Sequence, residues 1–285
     1  MKEIRFNLKS CLYISTVCLL LFASCDKETI TPGSTSQGSP AMEIPMLKGG
    51  DSNLFISHST SYNGNKTTTY SLEYDCSKKH ARWVAFKFYD KTAERNVSRT
   101  DAWADDPDIP SQYRSTREDF SGYDRGHICA SADRLYSLEA NQQTFYYSNM
   151  SPQIGNFNQG IWVELEGQVQ GWGRNNSFRD TLYVVKGGTI DSENLILTYT
   201  NRGPNQLPVP KYYYMALLCK KATGYKTIAF LLEHKNYAKP YNLSRYAVTI
   251  DKLEEFTGID FFPNLPDKAE EIVESQIEIS AWPGI

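Results

Sequence analysis

Two apolar runs, Tyr212 to Cys219 and Tyr225 to Leu232, are joined across Ala222-Thr223-Gly224. No other feature restricts the fold as much. Runs of this length around a glycine-containing turn read as a hairpin, and an isolated hairpin is barely stable in water, so more strands must flank it. Arg82 to Tyr89 (RWVAFKFY) alternates, with Val84, Phe86 and Phe88 on one face. Leu182 to Val185 (LYVV) reads as a short strand ending at the turn signal Gly187-Gly188, and Tyr246 to Ile250 (YAVTI) as another. The 19 tyrosines and 13 phenylalanines suit sheet better than a helical bundle. Helices are fewer. Asn156 to Trp172 carries Phe157, Ile161, Leu165 and Val169 one helical turn apart. Asp251 and Glu254 read as a capping box stopped by Gly258, and Pro266 to Gln276 as a C-terminal helix. Strands and helices mix without βαβ alternation, so the class is α+β.

The N-terminus has the syntax of a processing segment. Lys2, Arg5 and Lys9 precede a short apolar run from Leu12 to Ala23, which ends Phe22-Ala23-Ser24-Cys25. Small residues before a cysteine predict a lipoprotein-type signal over 1–24, with Cys25 as the lipid anchor, and a plain secretory signal as the alternative. Either implies export, to a membrane facing the periplasm or outside, or into the medium. Residues 25–50 have the Pro, Gly, Ser and Thr content of a flexible linker, and 51–285 reads as one domain. Without the leader the charge balance is −5, which does not advertise a polyanion partner but excludes none, because local Lys and Arg placement decides phosphate contacts. Beyond Cys25 only Cys76, Cys129 and Cys219 remain. They permit at most one internal disulfide, show no zinc-ligand spacing and read as buried structural residues.

Residues 123–134 read YDRGHICASADR and place one of only four histidines, His127, among charges. A neutral imidazole can take a proton from water, though a lone histidine is more often structural. Downstream, SNMSPQIGNFNQGIWVELE (148–166) clusters Asn149, Asn156 and Asn158 ahead of Glu164 and Glu166. Asn158 and Glu166 are eight residues apart, roughly 80° around a helix, so both reach one edge of it. An amide oxygen and a carboxylate are hard ligands suited to Mg²⁺. On these residues alone, helix capping and a solvated acidic face explain the segment more simply.

The motifs DRGH (124–127), SNMSPQ (148–153) and NQGIWVELE (158–166), in this order and spacing, resemble those of the DNA/RNA non-specific endonuclease family. The likeness continues through VPKYYYMALL, IAFLLEH and VTIDKLEEFTGIDFFPNLP and covers roughly residues 68–266. It implies a central antiparallel sheet flanked by helices, with a ββα-metal active-site motif. It implies DNA and RNA as substrates and Mg²⁺ as cofactor, Mn²⁺ being possible. His127 takes the place of the general base, Asn158 of the single protein ligand to the metal, and Glu166 of the glutamate holding a metal-bound water. Asn149 corresponds to an asparagine that orients the site, Arg125 to the motif arginine, and Arg99 to a phosphate-contacting arginine, with Arg95 as its competitor. Asp124 corresponds to an acid that fixes the loop. Cys129 stands where the family usually has Ala or Pro, and the acidic loop ADDPDIP (104–110) is unexpected beside a polyanion groove. The alternatives from other classes are a catalytically inactive surface lipoprotein binding nucleic acid or glycan, and a toxin component with an immunity partner. The sequence names no protein partner.

Overall fold

A computed structural model describes residues 41–285; the leader, Cys25 and the linker up to residue 40 lie outside the described residues. In chain order the strands and helices are β1 (Asn53–Tyr62), β2 (Asn65–Asp75), β3 (His80–Phe88), β4 (Asp124–His127), α1 (Leu138–Gln143), β5 (Met150–Gln153), α2 (Gly155–Phe157), α3 (Val163–Arg174), β6 (Thr181–Gly188), β7 (Ile196–Tyr199), β8 (Pro208–Pro210), β9 (Tyr212–Lys221), β10 (Gly224–Glu233), β11 (Ala247–Val248), α4 (Ile250–Thr257) and α5 (Asp267–Glu274). Seven of the strands form one antiparallel sheet in the order β1-β2-β3-β6-β9-β10-β11. The α+β class and the central antiparallel sheet are therefore as expected.

Both faces of this sheet are covered, and strand alternation assigns side chains to two cores. Val84, Phe86, Phe88, Leu182, Val184, Met215, Leu217, Ile228 and Phe230 face the side on which Phe157, Ile161, Leu165 and Val169 pack. The stripe read as helical thus meets the sheet as predicted. Trp83, Ala85, Tyr183, Val185, Ala216, Leu218 and Ala229 point the other way, to Ile250, Leu253, Phe261 and Phe262. Double-sided burial explains why β9 and β10 read as unbroken apolar runs. Each fully buried aliphatic or aromatic side chain contributes about 1.5–3 kcal/mol.

Several boundaries differ from the sequence reading. Gly187 and Gly188 are the last two paired residues of β6, not a turn, and a Cβ on Gly187 would lie 2.3 Å from the Tyr214 hydroxyl and one on Gly188 2.4 Å from Pro210. The glycines serve close packing, not a turn. Only Ala247 and Val248 of the expected strand 246–250 pair with the sheet. The cap of α4 is Thr249, whose hydroxyl accepts from Lys252 N, rather than Asp251; Gly258 stops the helix in the left-handed region (φ 69°), as read. Met42, with Ile44 and Leu47, packs on the second core, so the packed body reaches back past position 51 into the stretch of linker composition. Cys76, Cys129 and Cys219 are free and buried, in line with a structural role.

Candidate active site

β4 consists of the motif Asp124–His127 itself and pairs antiparallel with β5, placing His127 opposite Met150 and Arg125 opposite Pro152. β5 runs almost directly into α2, giving a ββα unit. Gly126 allows the pairing at close range, since a Cβ there would sit 2.1 Å from Gln153 Oε1. Between α2 and α3 the chain opens into a wider π-type turn over Asn158–Trp162, with Gly160 out of helical geometry (φ −108°, ψ −114°). A Cβ on Gly160 would approach the Tyr241 hydroxyl at 2.8 Å. This turn shifts the register between Asn158 and Glu166 relative to a regular helix, yet both still line one cleft of about 660 Å³. Arg99, Trp103, Asp124, Arg125 and His127 line it too.

The side chains hold one another in place. The Asp124 carboxylate, which only accepts, takes hydrogen bonds from Asn158 Nδ2 (3.0 Å) and Gln159 Nε2 (2.8 Å). That fixes the Asn158 amide and leaves its Oδ1 without a protein partner among the described residues. The His127 imidazole also makes no hydrogen bond among them; Nε2 is buried without a partner, which leaves Nδ1 as the nitrogen open to the cleft. Trp103 and Phe145 meet the ring edge-on at 5.5 and 4.9 Å. Burial, with the Arg99 charge nearby, pushes His127 down to about 3, so the imidazole is neutral throughout the physiological range. Arg125 lies 4.2 Å over the Trp103 ring and Arg99 4.7 Å over Phe145, so the two guanidinium groups flank the histidine on aromatic supports. Arg99 is further steadied by Asp101 at 2.8 Å and Ser131 at 3.1 Å. Asn149 does not line the cleft. It is fully buried and clamps Cys129 through both backbone atoms (2.8 and 2.9 Å), with a third bond to Thr144 O, and so fixes the chain two residues past His127.

Glu166 stands over a buried cation. Lys186 Nζ donates to Glu166 Oε1 at 3.1 Å and to Asp133 Oδ2 at 2.9 Å. Asp133 also accepts from Ala130 N and Gln170 Nε2, each at 3.0 Å. Two carboxylates hold Lys186 charged despite its burial. Burial pushes Glu166 up to about 7, against the pull of Lys186. Asp133 and Arg134 prove to be scaffold, Arg134 being stacked on Phe86 and Phe88 at 4.4 and 5.0 Å.

With the motifs seated on a ββα unit, the comparison with known proteins is decisive. The sequence model of the DNA/RNA non-specific endonucleases matches residues 50–268. The chain belongs to that family. Among curated relatives it is 34% identical to Nuclease C1 of Cunninghamella echinulata var. echinulata, over 56% of this chain and 66% of the relative. It is 28% identical to the mitochondrial endonuclease G of Homo sapiens, over 70% of each. The matches thus span about two thirds of those relatives' length. A crystal structure titled as the EndoG/EndoGI complex and the mechanism of EndoG inhibition superposes with a TM-score of 0.62 at 24% identity, over 75% of this chain and 89% of that one. At that identity it speaks for the fold.

Two residues of this non-specific endonuclease domain escaped the sequence reading. Trp103, four residues after Arg99, carries no local signal that sets it apart from the chain's other aromatics. Lys186 could have been found, because the alternation of LYVVK places it on the same face as Leu182 and Val184, where an ionisable side chain needs a buried partner. The acidic loop 104–110 contributes nothing to the cleft lining. Asp106 accepts from His58 Nε2 (2.9 Å), Ser148 Oγ (2.5 Å) and Asp108 N (3.0 Å), bolting the loop to β1. His58, Asp106 and Asp108 have metal-ligand chemistry and proximity, but these hydrogen bonds already occupy the buried acceptor atoms. Asn158, by contrast, keeps its carbonyl oxygen free in the cleft.

Proposed function

We propose that this chain is a metal-dependent endonuclease that hydrolyses phosphodiester bonds of DNA and RNA with little sequence preference. The observation that carries the reading is the pairing, in one cleft, of an imidazole unspent on structure with an amide whose oxygen is turned free by Asp124. His127 takes the proton of the attacking water on its open nitrogen. Its neutrality comes from burial and from Arg99. A phosphodiester anion settling between Arg99 and Arg125 offsets that positive field and returns basicity to the ring. The two arginines give charge-assisted hydrogen bonds to phosphate oxygens, and their aromatic supports limit the freedom lost on binding. Asn158 Oδ1 would hold Mg²⁺, or Mn²⁺ in its place, and Glu166, which lines the same cleft, would orient a water on it. A neutral ligand leaves the ion's charge undiminished, and when bound it supplies Lewis-acid stabilisation of the extra charge on phosphorus and of the leaving oxygen. None of these groups is suited to reading a base edge, which accords with cutting of both nucleic acids.

The leader over 1–24 and Cys25 support export with a lipid anchor, holding the nuclease domain, whose packed body begins near Met42, at a membrane surface. The test is digestion of supercoiled plasmid and of RNA with Mg²⁺, with Mn²⁺ and with EDTA. Both substrates are cut with metal and spared with EDTA, and His127→Ala lowers the rate by a factor on the order of 10² or more. Intact substrates across divalent metals would leave only a binding role, and a wild-type rate in His127→Ala would remove the histidine from the chemistry.

A further inference from the structure

Away from the cleft, α4 and α5 bring Asp251, Glu254 and Glu274 together, one carboxylate oxygen of each lying within 4.8 Å of the others. An acidic cluster alone signifies little. Here Glu274 is only 4% exposed, and its Oε1 is buried with no hydrogen-bond partner among the described residues. A buried, unpartnered carboxylate aimed at two more is unfavourable in water-poor surroundings unless a proton or a cation neutralises it. Nothing among the described residues does so. No lysine or arginine forms an ion pair with Asp251, Glu254 or Glu274, or with the nearby Asp260 and Glu270. The bond Glu254 does make, from Phe261 N to Oε1 at 2.7 Å, leaves its other oxygen available.

We propose that Asp251, Glu254 and Glu274 form a calcium site that pins α5 to α4. The donors are all hard oxygens, which suits Ca²⁺ and Mg²⁺ but not softer metals. Ca²⁺ accepts an irregular set of oxygens at about 2.4 Å, whereas Mg²⁺, at about 2.1 Å, demands a near-octahedral one, and three carboxylates from two helices are an irregular set. Asp251 and Glu254 lie three residues apart on one face of α4, and Glu274 closes the site from the end of α5. The helices sit against β10, where the Thr227 hydroxyl donates to Val273 O, so the ion would tie the C-terminal segment to the sheet's second core. The family match ends at residue 268, so Glu274 lies outside it.

The test is calorimetric titration of the full chain with Ca²⁺ at pH 8, with saturating Mg²⁺ in both solutions to mask the cleft. The wild type binds one equivalent, and Ca²⁺ slows proteolytic clipping of α5. Glu274→Gln lowers the affinity at least tenfold and removes that protection, while Glu270→Gln leaves both unchanged. Should Glu274→Gln fold poorly, Asp251→Asn, at an exposed position, must lower the affinity by a similar factor. Absence of a Mg²⁺-resistant equivalent in the wild type, or equal affinity in the wild type and either cluster variant, overturns the proposal. No readout is nuclease activity, so the outcome is independent of the cleft's chemistry.

Discussion

His234 offers a sharp test of how the fold holds the turn that leads into Asn158. It follows β10, and both ring nitrogens are engaged: Nδ1 lies 2.9 Å from Pro210 O and Nε2 2.7 Å from Ile154 N. A carbonyl only accepts and an amide N–H only donates, so Nδ1 carries the proton and Nε2 the lone pair. A second proton would displace Ile154 N, whose own carbonyl accepts from Phe157 N and Asn158 N at 2.9 Å each. Burial pushes His234 down to about 4 from 6.5. In the unfolded chain the ring protonates first as pH falls, so the stability it contributes is complete above 6.5 and is lost between 6.5 and 4. The full loss is about 3 kcal/mol, of which about 2 kcal/mol is gone by pH 5. His80 and His127 are lowered as well and add to the same acid sensitivity. The assay is urea unfolding at pH 7.5 and pH 5.0, followed by tryptophan fluorescence, for wild type and His234→Gln. The variant is less stable at pH 7.5 by about 1 kcal/mol for a weakened buried hydrogen bond. Its loss on acidification is smaller than that of the wild type by about 2 kcal/mol. An equal loss in both proteins would refute the tautomer argument.

Two further outcomes follow from the cleft. Lys186→Met leaves Asp133 and Glu166 buried without their cation and destabilises the protein by about 3–5 kcal/mol at pH 7.5; because Glu166, already pushed up by burial, can take up a proton, part of this returns at pH 5.5, as thermal melts at the two values will show. Trp103→Leu removes the ring under Arg125 and lowers plasmid cleavage about tenfold, the worth of one cation–π contact, with Trp103→Phe recovering most of the rate; equal rates in all three proteins would make Trp103 a packing residue only.

The sequence by itself determined the class and the family, and it named the candidate residues that the structure gathers in and around one cleft. Alternation in β3 and the paired runs of β9 and β10 gave the sheet, because side-chain period is a local property. The stripe Phe157, Ile161, Leu165 and Val169 gave the helix for the same reason. DRGH and the asparagine-rich segment were legible through their resemblance to the family's motifs, since on their chemistry alone capping and a solvated face explained them more simply. Other features depend on what lies opposite in space, and only the tertiary structure decided them. Gly187 and Gly188 look like a turn until Tyr214 and Pro210 are seen against them. β1 and β2, rich in Ser and Thr, carry too weak an apolar pattern to announce themselves. The π-type turn at Asn158–Trp162 is invisible in a stripe that keeps its period on both sides. The partners of Glu166 and His234 come from 20 and 80 residues away in the chain, and pairings of that range are fixed by the packing of the sheet against its helices rather than by any local pattern.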